Sequence, residues 1–326
     1  MKNINSPGGW AVSLMLCLLA CSLQHCSTNS SESKPQSAEV LVDSVVHATT
    51  VTTQYVEKDG RRIAYRKIGQ GPAMILCNRF RGTLDDWDPL FLDQLAQHYT
   101  VVTFDYSGIG LSTSVNPADS LTEVKDVRDL AQALNIQQCV LIGWSHGGRV
   151  AQYITAHTPQ LVSHLILLGT GPLGKNAFAP EQIFFDRALK PVNDEDDEVV
   201  LFFEPRYKAS VEAARQSRAR IQARTADRDV YVTPDKFEKY FQTVARYGAD
   251  EKARDFLATA GIPILALSGE HDIVFPIEGW YALTRQYTSL QIIMLPQAGH
   301  GPQQQYPELA ASYLHNFITH SAKAVQ

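Results

Sequence analysis

The strongest constraint in this chain is an alternation. From about residue 50, short uninterrupted apolar runs trade places with amphipathic stretches of helical period. The pattern predicts strands over 73–77, 101–105, 139–143 and 164–168, with helices over 84–98, 121–134 and 147–157. The rhythm resumes later with strands over 262–268 and 290–295 and helices over 278–287 and 307–318. Strands that are apolar on both faces belong in a mostly parallel sheet with helices on either side. Ahead of this, 52–57 and 62–68 alternate around Asp59-Gly60, which predicts a hairpin. Residues 172–255 break the rhythm. They are helical in character, acidic at 194–198, and then carry Arg215, Arg218, Arg220 and Arg224. Their place between two strands predicts a helical cap inserted over the sheet, with the arginines on a solvated face.

The fold class is therefore α/β. With 326 residues, 44% hydrophobic and 19% charged, the chain can bury a large core without metal or disulfide staples. A net charge of −5 offers no basic surface for a phosphate backbone, so nucleic acid is not an expected partner. There is no CxxC pair and no Cys/His spacing suited to zinc. Cys77 and Cys139 end or begin apolar runs and read as buried core thiols.

The chemistry concentrates in Gly143-Trp144-Ser145-His146-Gly147-Gly148, placed where a strand ends and a helix begins. In that context G-x-S-x-G is a nucleophile elbow: the turn is too sharp for side chains two residues either side of the serine. A serine hydroxyl needs a base. Of ten histidines, His300 lies on a loop between glycines, Gly299-His300-Gly301, past the last strand. His98, His157, His164 and His315 sit within or beside regular elements and read as surface or packing residues. The loop Gly269-Glu270-His271-Asp272 supplies an acid to orient the base. Asp272 has the expected place, and Glu270 is the alternative, expected to face solvent.

These segments resemble the α/β-hydrolase superfamily from about residue 50 onward. The order Ser, Asp, His is the family's. Phe104-Asp105-Tyr106-Ser107-Gly108-Ile109-Gly110-Leu111-Ser112 is similar to its D-x-x-G-x-G-x-S loop, and Trp87 sits where a helix-A tryptophan is common. The nearest branch is the capped, haloperoxidase-like and esterase-like one. By this resemblance, the oxyanion hole takes the backbone N–H groups of Phe80 and His146. The loop itself departs from the family's His-Gly-x and reads Asn78-Arg79-Phe80-Arg81-Gly82. Asn78 would replace the loop-holding histidine. Arg79 and Arg81 are expected to pair with Asp85, Asp86 and Asp88, the alternative being a carboxylate on the substrate.

The resemblance implies a serine hydrolase acting on a small carboxylic ester, lactone or thioester, with no metal or organic cofactor. Carbon–carbon bond hydrolysis and perhydrolysis use the same triad and stay open. Epoxide hydrolases and haloalkane dehalogenases carry aspartate where this chain has Ser145, and the elbow does not read like the usual proline iminopeptidase form. A small-molecule binder with little turnover is the reading from another class; three filled triad positions argue against it.

Residues 1–21 read as an export signal. Lys2 is followed by an uncharged apolar run over 10–20, too short to span a bilayer. The run ends in Leu18-Leu19-Ala20-Cys21, which resembles a bacterial lipoprotein box with Cys21 as the lipidated residue. Residues 22–49 then read as a polar tether leading to the hydrolase domain at 50–326. Oligomeric state leaves no mark on the sequence. The expected home is the cell envelope, with a lipid anchor holding the body to a membrane. Cys21→Ser should move the protein from the membrane fraction to the soluble fraction and abolish acylation. Wild-type protein already found in the soluble fraction would refute the anchor.

Overall fold

The computed structural model describes residues 47–115, 121–175 and 178–321. The signal, Cys21 and nearly all of the tether lie outside the described residues. Strands β1 (Gln54–Lys58) and β2 (Arg61–Ile68) form the hairpin, turning at Asp59 and Gly60, both at positive φ as such a tight turn requires. Then come β3 (Ala73–Cys77), α1 (Pro89–Ala96), β4 (Thr100–Phe104), the two-residue β5 (Thr113–Ser114) and α2 (Thr122–Ala133). The centre follows with β6 (Cys139–Trp144), α3 (His146–His157) and β7 (Val162–Leu168).

Between β7 and β8 the chain is helical: α4 (Gln182–Ala188), α5 (Glu195–Phe202), α6 (Lys208–Gln222), α7 (Phe237–Gly248) and α8 (Glu251–Thr259). It closes with β8 (Ile264–Gly269), α9 (Glu278–Tyr281), β9 (Leu290–Leu295), α10 (Pro302–Gln305) and α11 (Pro307–Ser321).

The sheet runs β1-β2-β4-β3-β6-β7-β8-β9, with β5 beside β2. Pairings from β4 to β9 are parallel; those of β1 and β2 are antiparallel. Strands β6 and β8 are buried throughout, and the two-residue period of the central strands divides one apolar run between two cores. On β6, Cys139 and Leu141 pack with Val127, Leu130, Val150 and Ile154, while Val140, Ile142 and Trp144 pack with Phe91, Leu95, Leu314 and Phe317. Burial pushes the Cys139 thiol up to about 12 and raises Cys77 further, so both are inert core groups. From β3 the chain steps to β4 on one side, and from β6 it steps to β7 on the other. The carboxyl ends of β3 and β6 thus flank a topological switch point, where open α/β sheets hold their ligands.

Two helices are shorter than expected. The run over 84–98 splits into a 3-10 turn (Leu84–Asp86) and α1. Asp88 precedes Pro89, which disfavours the helical region for the aspartate. Asp88 instead caps α1, accepting from Leu90 N at 2.9 Å. The run over 278–287 yields only α9, followed by turns closed by tighter bonds such as Leu283 N to Trp280 O.

Of the four arginines on and just after α6, Arg215 is solvated as expected, while Arg218, Arg220 and Arg224 are not on an open face. Arg220 donates twice to the fully buried Asp88, at 2.8 and 2.7 Å, and Ser217 bonds the same carboxylate at 2.7 Å. Arg224 is buried and donates to the carbonyls of Ala48 and Val51. Arg218 pairs with Glu198, and Arg215 pairs with Glu212 in the open. Asp85 and Asp229 exchange backbone-to-carboxylate bonds at 2.8 and 2.9 Å, tying the loop before α1 to the segment before α7.

Two outcomes follow. Asp88→Ala leaves Arg220 and Ser217 without their partner and should destabilise the fold by about 3 kcal/mol in a denaturant titration. Burial, then the charges of Asp85 and Asp86, push the Asp229 carboxyl up to about 7. The folded state therefore holds that proton more tightly than the unfolded chain. Its contribution to stability is full below about pH 4 and fades as pH rises towards 7. Asp229→Asn should flatten the fall in melting temperature across that window; an unchanged pH slope would refute the shift.

Candidate functional site

Ser145 stands between β6 and α3 at φ 57° and ψ −119°, a conformation that costs about 1–3 kcal/mol and persists only where the surroundings impose it. The surroundings are backbone. A Cβ on Gly143 would lie 2.2 Å from Gly147 O, and one on Gly147 would lie 2.1 Å from Cys77 O. The serine N–H is fixed by Leu168 O at 2.9 Å, which leaves the hydroxyl projecting from the carboxyl end of the sheet.

The structure brings the three distant residues together. His300 Nε2 lies 2.8 Å from Ser145 Oγ. Its Nδ1 lies 2.9 Å from both carboxylate oxygens of Asp272. All three are buried. Asp272 Oδ1 accepts from Val274 N at 2.8 Å and Phe275 N at 2.9 Å, so the carboxylate is set as an acceptor before it meets the imidazole. Trp144 Nε1 donates to His300 O at 2.9 Å. The glycines beside His300 have a steric reason: a Cβ on Gly299 would lie 2.3 Å from Phe203 O, and Gly301 N donates to Phe202 O at 2.7 Å. The histidine loop is thus packed directly under the end of α5. Glu270 stays at the surface, accepting from Gln297 N.

The loop after β3 lies beside the serine, with Phe80 and Ser145 lining one cleft. Asn78 holds the loop: its Nδ2 donates to Phe104 O at 2.7 Å and its Oδ1 accepts from Trp87 Nε1 at 2.6 Å. The Phe80 ring packs on Phe237, Tyr240 and Phe241. Neither the Phe80 N–H nor the His146 N–H has an acceptor among the described residues. His146 begins α3, where backbone N–H groups have no partner within the helix.

The two loop arginines part ways. Arg79 pairs with Asp86 at 2.7 Å, as expected, and lies over the Phe202 ring at 4.4 Å. Arg81 pairs with none of the three aspartates. It donates to the carbonyls of Ala188 and Lys190 at 2.8 Å, to Pro191 O at 3.2 Å, and to the Tyr231 hydroxyl. Asp85 is taken instead by Arg66 and Arg224, and Asp88 by Arg220.

One neighbour escaped the sequence reading. His146 Nε2 lies 3.0 Å from both oxygens of Glu123, which is fully buried on α2. Burial pushes the Glu123 carboxyl up, but the His146 imidazole together with Lys239 and a hydrogen bond from Tyr247 holds the group below its ordinary range. A glutamate twenty-odd residues upstream carries no local signal of this pairing. His271 also bridges two carboxylates, Glu181 at 2.9 Å and Glu204. Among the described residues no His, Cys, Asp or Glu cluster suits a metal ion, and no helix is long and apolar enough to cross a membrane.

Comparison with known proteins bears on this geometry. A Mycobacterium tuberculosis protein without assigned function is 32% identical over 145 residues; that match spans 44% of this chain and 41% of the relative. A pimeloyl-[acyl-carrier protein] methyl ester esterase of Aliivibrio fischeri is 27% identical, covering 78% of this chain and 96% of its own. A non-heme chloroperoxidase by name, from Synechocystis, is 26% identical over 78% of this chain and 94% of its own. A solved α/β-hydrolase fold protein from Chitinophaga pinensis superposes with a TM-score of 0.74 at 26% identity, over 84% of this chain and 99% of the other. The family model of the α/β-hydrolase fold matches residues 72–305, and with the parallel sheet and the elbow at its switch point, the chain belongs to the α/β-hydrolase fold family.

Proposed function

We propose that the protein is a serine hydrolase that cleaves a small carboxylic ester, lactone or thioester through an acyl-enzyme. The observation that carries this reading is the buried relay of Ser145 Oγ, His300 Nε2 and Nδ1, and the Asp272 carboxylate. Ser145 is the nucleophile. His300 Nε2 takes its proton as the oxygen attacks the carbonyl, and Asp272 orients the ring and stabilises the imidazolium. The N–H groups of Phe80 and His146 receive the oxyanion. His300 then gives its proton to the leaving group, and a water activated by the same imidazole releases the acid. The cycle consumes water and needs no cofactor.

The esterase name of the Aliivibrio relative supports ester substrates. The chloroperoxidase name of the Synechocystis relative favours a second reading, perhydrolysis, in which peroxide rather than water meets the same acyl-enzyme. The place of action we propose is the cell envelope, through a lipid on Cys21.

The purified body should hydrolyse p-nitrophenyl acetate and react with a fluorophosphonate at Ser145. Ser145→Ala should abolish both. Asp272→Asn keeps the shape of the contact but favours the wrong tautomer of His300, so kcat should fall by about a thousandfold or more. Well-folded protein that neither labels nor turns over would replace the hydrolase with a binder.

A further inference from the structure

The arginines that fasten the helical insertion end on carboxylates or main-chain carbonyls. Arg149 ends on neither. It lies in the first turn of α3, four residues after Ser145, and its guanidinium has no hydrogen-bond or ion-pair partner among the described residues. Its Nε–H is buried without an acceptor. The contact it does make is with an aromatic face: the guanidinium carbon lies 5.0 Å from the centre of the Phe275 ring. That ring stands 5.9 Å from the imidazole of His300. The face attracts a cation but leaves the N–H groups in the guanidinium plane unspent. Burial pushes the guanidinium below its ordinary value, and no neighbouring charge offsets this. Buried charges in folded proteins are paired; this one lacks its pair.

Its place makes the missing partner informative. Side chains on a helix lean towards the N-terminus, so Arg149 leans back to the rim of the sheet from which Ser145 projects. The two residues are one turn apart, about 6 Å along the helix axis. Helix α7 comes up against the guanidinium at Gly248, where a Cβ would lie 2.9 Å from Nη1. The glycine thus keeps a side chain off that nitrogen. Arg149 is partly exposed, so a ligand can reach it from solvent. The residue before it, Gly148, lies against Thr170, whose hydroxyl is also buried without a partner among the described residues.

From this we infer that Arg149 reads a carboxylate on the substrate. The substrate is a compact ester with a second, free carboxylate close to the scissile bond. Ser145 attacks the ester carbonyl while the guanidinium holds the carboxylate by a fork of N–H groups. One guanidinium with no second cation acting on it balances a single negative charge, which a carboxylate carries and a doubly charged phosphate exceeds. Arg149 contributes binding and no chemistry. The substrate assignment rests on the hydrolase reading; the anion site stands on Arg149 alone.

Two matched pairs of esters test this. p-Nitrophenyl hemisuccinate against p-nitrophenyl butyrate puts the carboxylate on the acyl side. meta-Carboxyphenyl acetate against phenyl acetate puts it on the alcohol side. In one pair the wild-type protein should favour the anionic ester about tenfold in kcat/KM, the contribution of one charge-assisted hydrogen bond. The pair that shows the preference assigns the side. Arg149→Met should remove it, chiefly by raising KM for the anionic ester. The ratio is taken within each protein, so a general loss of activity cancels. Arg149→Lys keeps the charge without the fork and should retain part of the preference, in a protein that keeps a cation over Phe275. Turnover with no anionic preference in either pair, or a preference that survives Arg149→Met, overturns the proposal and leaves the hydrolase reading standing. Isothermal titration with succinate separates the two claims. Succinate that binds wild type but not Arg149→Met, in a protein that turns over none of the four esters, would refute the hydrolase reading and leave the anion site intact. Absence of both binding and turnover would refute both.

Discussion

The site depends on how closely the start of α3 presses against the end of β3. Gly147 meets the Cys77 carbonyl with no room for a side chain, and Gly143 meets Gly147 in the same way. These contacts hold Ser145 in its left-handed conformation and set the elbow beside the loop that begins at Asn78. A larger residue at either glycine would not merely strain the turn. It would push β6 and α3 apart and shift the serine hydroxyl relative to His300, whose loop is tied both to Trp144 on β6 and to Phe202 on α5. Positioning of reacting groups is sensitive at the scale of an ångström, so the glycines act on chemistry through distance.

The helical insertion is fastened to the sheet domain by guanidinium groups rather than by an apolar seam alone. Arg220 reaches Asp88 at the head of α1, Arg224 reaches the carbonyls of Ala48 and Val51, and Arg81 reaches back from the sheet to Ala188 and Lys190. Each of these arginines either pairs with a buried carboxylate or donates to main-chain oxygen, which is how a charge is tolerated away from water. Arg220 and Arg224 are therefore structural, although their spacing with the exposed Arg215 looks like that of a solvated face.

That misreading marks the boundary of what the sequence made legible. The sheet, the hairpin and the elbow were readable because their signals are local: apolar runs, Asp59-Gly60, and glycines at fixed offsets around Ser145. His300 was readable because its flanking glycines have a steric cause, the approach of Phe203. The partners of the arginines were not readable, since an arginine's long side chain chooses among carboxylates and carbonyls that only the tertiary fold assembles. Glu123 beneath His146 is the same case. The helix expected over 84–98 failed for a local reason that was visible, the Asp88-Pro89 step, which outranks apolar periodicity.

The loop after β3 shows how the family's geometry survives a change of residues. In place of a histidine, Asn78 uses both ends of its amide, one on Phe104 and one on Trp87. In place of a glycine, Arg79 fits because its backbone does not require positive φ; Arg81, at φ 58°, takes that conformation instead. Arg81 is held there by its ties to Ala188, Lys190 and Tyr231, which offset the strain of a left-handed arginine. Phe80 lies between Arg79, paired with Asp86, and Arg81, tied to Ala188 and Lys190, with its ring set among three aromatics of the insertion's α7. Its side chain is thus placed by the insertion, while the sheet places the start of its loop. A loop with glycine at this place would owe less to the helices above it. Here the insertion does more than cover the serine: its α7 packs the side chain of a residue that lines the same cleft.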